Sequence, residues 1–177
     1  MFNGRATMKK YDKYIKKALK LGATDAKIVE PDSIVTSAWV RWKCRFGCDG
    51  YNSGLCCPPN TPNYKETREL LDSYENALLL HFKTDSLRSK DATDVAATLE
   101  RDIFLDGYHK AFALGCGPCM LCAECSMNVC RHPSEARPSM ESCGIDVFTT
   151  ARNNGFFIEV LKDTSRPMNR YAVILIE

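Results

Sequence analysis

Cysteines dominate the chemistry that this sequence can support: the chain of 177 residues contains ten of them, most in two short segments. In a reducing compartment, thiols at short spacings are typical of metal ligands or redox groups, whereas disulfides need an oxidising compartment. The N-terminal residues contain no apolar core of a signal peptide, and no run approaches the ~18 apolar residues of a membrane span. We therefore expect a cytoplasmic protein whose cysteines bind metal.

The stronger signal is the segment Cys116-x2-Cys119-x2-Cys122-x2-Cys125-x4-Cys130. Consecutive C-x2-C steps place thiolates where they can converge on one iron–sulfur cubane. The cluster-binding motif of bacterial ferredoxins begins with the same spacing. A zinc site is usually built from two C-x2-4-C pairs separated by a longer loop, which this segment lacks. The spacing therefore favours an iron–sulfur cluster, with zinc as the alternative.

The second signal, Cys44-x3-Cys48-x7-Cys56-Cys57, is less specific. The thiolates of Cys44, Cys48 and Cys57 could hold a cubane with one open iron, to which a substrate or external ligand would bind. A fourth ligand would close that site; the candidates are Cys56, Cys116 and Cys143. Two further alternatives are that this loop shares ligands with the other segment, or that its cysteines are structural and the protein holds a single metal site.

Weaker assignments apply to the residues around these segments. The adjacent side chains of Cys56 and Cys57 point apart, so we expect one of them to pack or to be redox-active. Cys143 stands alone in the sequence, which is typical of a buried free thiol. Arg131 and His132 follow the second segment directly and would either donate hydrogen bonds to cluster sulfur or pair with nearby carboxylates.

Composition excludes several classes of function. The net charge of +2 is too small for a general nucleic-acid binder. No P-loop, G-x-G-x-x-G or Ser-His-Asp pattern is present, which argues against nucleotide-binding and hydrolase functions. A lysine-rich stretch between Lys9 and Lys20 is typical of a solvated helix face. The alternative is a docking surface for an acidic redox partner.

Hydrophobic periodicity and turn residues predict the elements that position the cysteines. The expected helices are 8–21, 63–74, 91–113 and 145–153, with a short helix opening near 137–141. The expected strands are 26–29, 35–43, 76–83, 156–161 and 171–176, the last two forming a hairpin. The cysteine segments fall in irregular stretches at 44–63 and 115–133.

This element order predicts an α/β or α+β fold. We expect residues 1–177 to form a single domain, in which helices flank a small mixed sheet. The two cysteine-rich loops would then be insertions between core elements. A chain of this length buries enough surface to fold without metal, so a bound metal would be functional as well as structural.

Four motifs together resemble a prokaryotic family of small predicted metal-binding proteins, the domain of unknown function 2284. They are C-R-F-G-C-D-G-Y at 44–51, C-P-P-N-T-P at 57–62, C-x2-C-x2-C-x4-C-R-H-P at 119–133 and R-P-S-M-E-S-C-G-I-D-V at 137–147. The resemblance spans nearly the whole chain. Its members look typical of anaerobic bacteria and archaea, and the family carries no established reaction.

The resemblance implies two sets of ligands. The first set is Cys44, Cys48 and Cys57, and the second is Cys119, Cys122, Cys125 and Cys130. The family pattern does not require cysteine at the three other positions, which are Cys56, Cys116 and Cys143.

From these observations we expect an iron–sulfur protein with one [4Fe-4S] cluster and a possible second cluster site. Its expected role is one-electron transfer to a redox partner protein in anaerobic metabolism, without nucleic acid or membrane. The alternatives are an enzyme with an open-iron cluster at Cys44, Cys48 and Cys57, acting on sulfur or a small substrate, and a zinc-stabilised interaction module.

Overall fold

A four-stranded sheet with helices on both faces forms the protein in the computed structural model, which describes residues 4–84, 90–163 and 166–177. The helices are α1 (Gly4–Lys20), α2 (Ala38–Gly47), α3 (Tyr64–Asp72), α4 (Lys90–Leu105) and α5 (Val147–Asn153). The strands are β1 (Asp25–Val29), β2 (Ala77–Thr84), β3 (Phe112–Leu114) and β4 (Met168–Leu175). Two 3-10 turns cover Pro31–Ser33 and Glu141–Cys143.

The strand order is β1-β2-β4-β3, and the three ladders that join the described strands are all antiparallel. The fold is therefore α+β, and the sheet is antiparallel rather than mixed.

Both faces of the sheet are buried, which explains why β2 is a continuous apolar run. Leu78 and Leu80 point to the layer that contains α1 and α4. Leu79 and Ala77 point to the opposite layer, which contains α3, the 3-10 turn at Glu141–Cys143 and α5. Two hydrophobic cores, one on each face, therefore hold the sheet in place.

The α1 helix is amphipathic as predicted, and it begins at Gly4 rather than near residue 8. Tyr11 and Tyr14 are buried against the sheet layer. On its outer side, Lys13 lies 2.8 Å from Asp106, and Lys17 pairs with Asp102. The Lys9 side chain lies outside the described residues.

The predicted strand at 35–43 is wrong, because Ala38–Gly47 is helical. Only the start of this segment is extended, where Thr36 forms an isolated antiparallel bridge with Ile145. Its Trp and Val residues favour strands only where a half-buried sheet surface packs them. Here Val40 alone is buried, and Trp42 is 65% exposed.

The predicted hairpin of 156–161 with 171–176 is also wrong. β4 lies between β2 and β3, and β3 pairs with its last three residues, where the predicted hairpin would have formed. Residues 156–161 are not a strand, although Phe156 and Ile158 are buried in the core. The Tyr171 hydroxyl donates a hydrogen bond to the Phe157 carbonyl at 3.0 Å.

The predicted helix at 91–113 is correct only for its first part, since α4 ends at Leu105. Gly107 adopts a φ of +101°, a conformation that residues with a side chain rarely adopt, so the chain turns here. Residues 112–114 then form the edge strand β3. The predictions for 26–29, 63–74, 76–83 and 145–153 agree with β1, α3, β2 and α5 within a few residues.

Candidate metal centre

The two cysteine-rich loops meet in space. A methyl group at Gly54 of the first loop would lie 3.7 Å from the Cys125 sulfur of the second. The backbone N–H of Leu55 donates a hydrogen bond to the same sulfur at 3.5 Å. This contact brings together segments that are 70 residues apart in the sequence.

The loops enclose a cavity of about 320 Å³, which we call the thiol cavity. Its cysteines are Cys56, Cys57, Cys119, Cys122, Cys125 and Cys130. All four residues of the predicted second ligand set therefore line one space. Arg131 and His132 also line it, as the sequence position of these residues indicated.

Cys56 also lines this cavity, although its position suggested a fourth ligand of the other site; only the alternative in which the two loops share ligands allowed for such a meeting. Its side chain shares a hydrogen bond with Cys119 and lies near Cys130. Burial, followed by the neighbouring Cys119 thiol, raises the pKa of Cys56 to about 12. The C-x2-C spacing of the second segment does not include this thiol, because Cys56 belongs to the first segment.

Backbone N–H groups point at two of the sulfurs. His132 donates to the Cys130 sulfur at 3.4 Å. Hydrogen bonds from the backbone of Met127 and then of Leu55 hold the pKa of Cys125 below its ordinary value. Met127 has a φ of +62°, so the chain turns sharply at this point. Amide donors of this kind stabilise thiolates, and they tune the potential of an iron–sulfur cluster.

Of the first predicted ligand set, Cys57 lines the thiol cavity, whereas Cys44 and Cys48 line a second cavity next to it. Cys44 is in α2 and Cys48 is the residue that ends it, so the two lie one helical turn apart on the same face. A methyl group at Gly50 would lie 3.5 Å from the Cys48 sulfur and 3.9 Å from the Cys57 sulfur. Burial, followed by the neighbouring Cys48, raises the pKa of Cys44.

Cys44 lies in the α2 helix and not in the expected irregular stretch. The predicted irregular stretch 44–63 is wrong at its start, because α2 continues to Gly47. Cys44 is thus presented on a regular helix rather than on a flexible loop.

A second cavity of about 570 Å³ opens beside Cys44 and Cys48, and we call it the α2 cavity. Cys116 also lines it, is buried, and accepts a hydrogen bond from Arg170 at 3.5 Å. Of the candidates for a fourth ligand, only Cys116 lies in this cavity, whereas Cys56 lies in the thiol cavity.

Cys143 lies away from both cavities. It is 2% exposed and packs in the core beneath the sheet, where burial raises the pKa of its thiol to about 11. This agrees with a buried free thiol.

Polar contacts anchor the ends of both loops. Arg41 of α2 donates a hydrogen bond to the Thr61 hydroxyl at 2.7 Å and another to the Ser142 carbonyl. Arg137 forms two hydrogen bonds with Glu100 of α4, at 2.5 and 2.6 Å. The cysteine loops are therefore fixed to the α+β core where they leave and rejoin it.

The donor set is chemically suited to a thiophilic metal, because it consists of clustered thiols with backbone amide donors. Within residues 4–84, 90–163 and 166–177, no three Cys, His, Asp or Glu side chains converge closely enough to hold a single ion. The thiols instead surround a space.

A model of the family described as "Predicted metal-binding protein (DUF2284)" matches residues 27–176. No curated protein and no solved structure matches the chain. None of the helices in the described parts of the chain has the length and apolar character needed to cross a membrane.

Proposed function

Because the chain belongs to the DUF2284 family of predicted metal-binding proteins, we propose that its thiol cavity holds a [4Fe-4S] cluster that transfers single electrons. The proposed ligands are Cys119, Cys122, Cys125 and Cys130. The observation that carries the proposal is the convergence of these four cysteines, with Cys56 and Cys57, on one cavity of about 320 Å³. Backbone amides aimed at the Cys125 and Cys130 sulfurs add to it.

The sequence spacing of the cysteines and the cavity that they line support a cluster over zinc. A zinc ion needs four ligands within about 2.3 Å of one point. An iron–sulfur cubane binds each cysteine to a different iron, so its ligand sulfurs lie farther apart. Cysteines in successive C-x2-C steps that line a cavity of about 320 Å³ match the second requirement.

When bound, the cluster would accept and release one electron at a time. The protein's part is to fix the thiolates and to direct the Leu55 and His132 amides at sulfur. These donors favour the more negative, reduced state, because they stabilise charge on sulfur. Cys57 lies between the thiol cavity and Cys48, so it is placed to link this cluster to a second site.

The test is metal analysis of protein purified without oxygen. About four irons and four sulfides per chain, with an absorption band near about 400 nm that dithionite bleaches, would support one cubane. About eight of each would support a second cluster at Cys44, Cys48 and Cys57. Zinc alone, without visible absorption, would overturn the proposal and favour the zinc-stabilised module.

A pair of variants makes this test specific. Cys122→Ser removes a proposed ligand and should lower the iron content by at least half. Cys143→Ala removes a thiol that lies away from both cavities, and its iron content should equal that of the unmodified protein. Equal iron in the two variants would contradict the proposed ligand set.

A second candidate function is an enzyme, favoured by the α2 cavity. Cys44 and Cys48 open onto a space of about 570 Å³, so a cluster held by these residues and Cys57 would have room for a substrate at its open iron. A spectral change on adding a substrate would support this function, since a closed electron-transfer cluster has no site for one.

The role of the lysine-rich face of α1 as a docking surface for an acidic redox partner stays a prediction. Lys10, Lys13 and Lys17 pair with carboxylates of the same chain. Thr93 contacts Cys116 near the start of α4, whereas Asp102 lies about 14 Å farther along that helix. The Lys17 end of α1, which pairs with Asp102, is therefore separated from Cys116 by that length of α4.

A further inference from the structure

The α2 cavity has the size and shape of a small-molecule site. Its volume of about 570 Å³ falls within the range of roughly 300–1,000 Å³ that ligand pockets occupy. It lies between α2, the residues after α5 and the first part of β4. The larger of the two cavities beside the cysteines is thus the one that faces Cys44 and Cys48.

Apolar side chains from four parts of the fold form its wall. They are Val40 of α2, Ile145 and Phe148 near α5, Ile158 beyond it and Tyr171 of β4. Val40, Ile145, Ile158 and Tyr171 are buried in the core, so this wall is preformed. Such a wall suits a ligand with an apolar body.

Two polar groups interrupt the wall. Oε2 of Glu141 is buried and has no hydrogen-bond partner among the described residues. Its carboxyl is held by Ser139 and by the backbone N–H of Gly117, and burial raises its pKa, which favours the protonated form. A protonated carboxyl donates a hydrogen bond to an anionic oxygen.

Arg170 supplies the positive charge. The hydrogen bonds of its guanidinium include those to the sulfurs of Cys116 and Met168, at 3.5 and 3.8 Å. The planar donors of a guanidinium match the two oxygens of a carboxylate, and Arg170 lines the cavity. Lys43 and Glu159 line the cavity from exposed positions and carry opposite charges, so neither sign dominates there.

We propose that the α2 cavity binds a small organic carboxylate with an apolar body, its carboxylate between Arg170 and Glu141 and its body along the wall beside Cys44 and Cys48. The inference deepens the second candidate function, because it names the substrate class of that site. Its placement next to a cluster rests on that proposal, whereas the binding itself does not require the metal to be iron.

The test compares three probes with the same apolar body: 3-phenylpropanoate, 3-phenylpropan-1-ol and 3-phenylpropylamine. Isothermal titration calorimetry on the anaerobically purified protein, with its metal, should give a Kd for the carboxylate at least tenfold below that of the other two. Equal affinities would show apolar partition only and would overturn the inference. Tightest binding of the amine would overturn it as well.

Tryptophan fluorescence locates the binding. The chain has two tryptophans, and of these Trp39 lines the cavity. In Trp42→Phe the remaining Trp39 should respond to the carboxylate, and in Trp39→Phe the remaining Trp42 should not. A response confined to Trp42 would place the probe elsewhere and contradict the proposal.

Charge variants test the recognition. Arg170→Gln should abolish the tenfold preference for the carboxylate, and Arg170→Lys should retain part of it. Lys16→Gln removes an equal charge from an exposed position on α1 and should leave the preference unchanged. Circular dichroism of each variant checks that it is folded. Retained preference in a folded Arg170→Gln protein would contradict the assignment.

Metal content measured on the same samples separates the two proposals. Carboxylate preference in a protein that contains zinc would support the binding site and overturn the iron–sulfur function. An iron–sulfur protein without the preference would overturn this inference alone.

Discussion

At the scale of single residues, the cysteines differ in how strongly their surroundings favour the thiolate form. Cys125 receives backbone hydrogen bonds that lower its pKa, whereas burial and neighbouring thiols raise the pKa of Cys56 to about 12. Thiolates are both the nucleophiles and the metal ligands. Among the proposed ligands, burial raises the pKa of Cys44 and Cys57, so the energy cost of forming thiolates is highest there and a bound metal would compensate it.

The first prediction is an order of alkylation in protein stripped of metal. At pH 7, iodoacetamide should modify Cys125 first and Cys56 about 100-fold more slowly, because a higher pKa leaves less thiolate and greater nucleophilicity compensates only part of the loss. Raising the pH should accelerate Cys56 more than Cys125. Peptide mass spectrometry against time measures both rates. Equal rates would contradict the assigned environments.

Gly144 gives a second prediction at this scale. It has a φ of +81°, and an added Cβ would lie 2.9 Å from the Tyr64 Cα. Gly155 has nearly the same φ, +80°, with open space around an added Cβ. Gly155→Ala should cost about 1–2 kcal/mol of unfolding free energy, the strain of a left-handed residue alone.

Gly144→Ala should cost at least about 1 kcal/mol more than Gly155→Ala, because α3 must also move away. Denaturant unfolding of the two variants gives the difference. Equal losses would mean that the contact with Tyr64 relaxes without cost.

At the scale of elements, α4 holds the second cysteine loop at both ends. The Thr93 side chain accepts a hydrogen bond from the Cys116 N–H at 3.2 Å. Glu100 binds Arg137 after the loop and also accepts the Ala113 N–H of β3 at 2.7 Å. One helix thus fixes the entry and the exit of the loop relative to the sheet.

The third prediction concerns this clamp. The side chains of Arg137 and Glu100 are only 13% and 12% exposed, so Glu100→Gln leaves a poorly solvated positive charge. We expect a loss of about 3 kcal/mol in unfolding free energy. Glu69→Gln on the exposed side of α3 is the control and should change it by no more than about 0.5 kcal/mol. Similar values for the two variants would show that the ion pair does not anchor the loop.

At the scale of the whole molecule, the metal loops are additions to the two hydrophobic cores, to which they contribute only Cys116. Both hydrophobic cores are built from the strands, α1, α3, α4, α5 and the 3-10 turn at Glu141–Cys143. The cysteines of the thiol cavity contribute to neither core. Folding of the sheet layers and ordering of the loops are therefore separable.

The fourth prediction follows from this separation. Removal of metal with a chelator should leave the far-UV circular dichroism nearly unchanged and unfolding cooperative, unlike a zinc finger, which unfolds without its metal. Limited proteolysis should then cut within 48–63 and 117–136 faster than in the metal-loaded protein. Loss of cooperative unfolding would show that the metal is required for the fold.

The sequence by itself determined the local features of this protein. The spacing of the cysteines indicated metal chemistry, and the family match over residues 27–176 agrees. The apolar runs of β1 and β2 and the helical period of α1 and α3 were predicted because each depends on neighbours in sequence. The four cysteines from 119 to 130 were grouped for the same reason, and their role as ligands stays a prediction.

Only the tertiary structure decided the features that depend on distant partners. Trp39 and Val40 lie in a helix, because no sheet surface is available to pack them as a strand. β3 pairs with the last three residues of β4, so residues 156–161 do not pair with that end of the strand. Cys56 joins the thiol cavity through contacts between loops, and the α2 cavity is assembled from separate elements. The spacing of residues along the chain does not predict such contacts, because they arise from packing between remote segments.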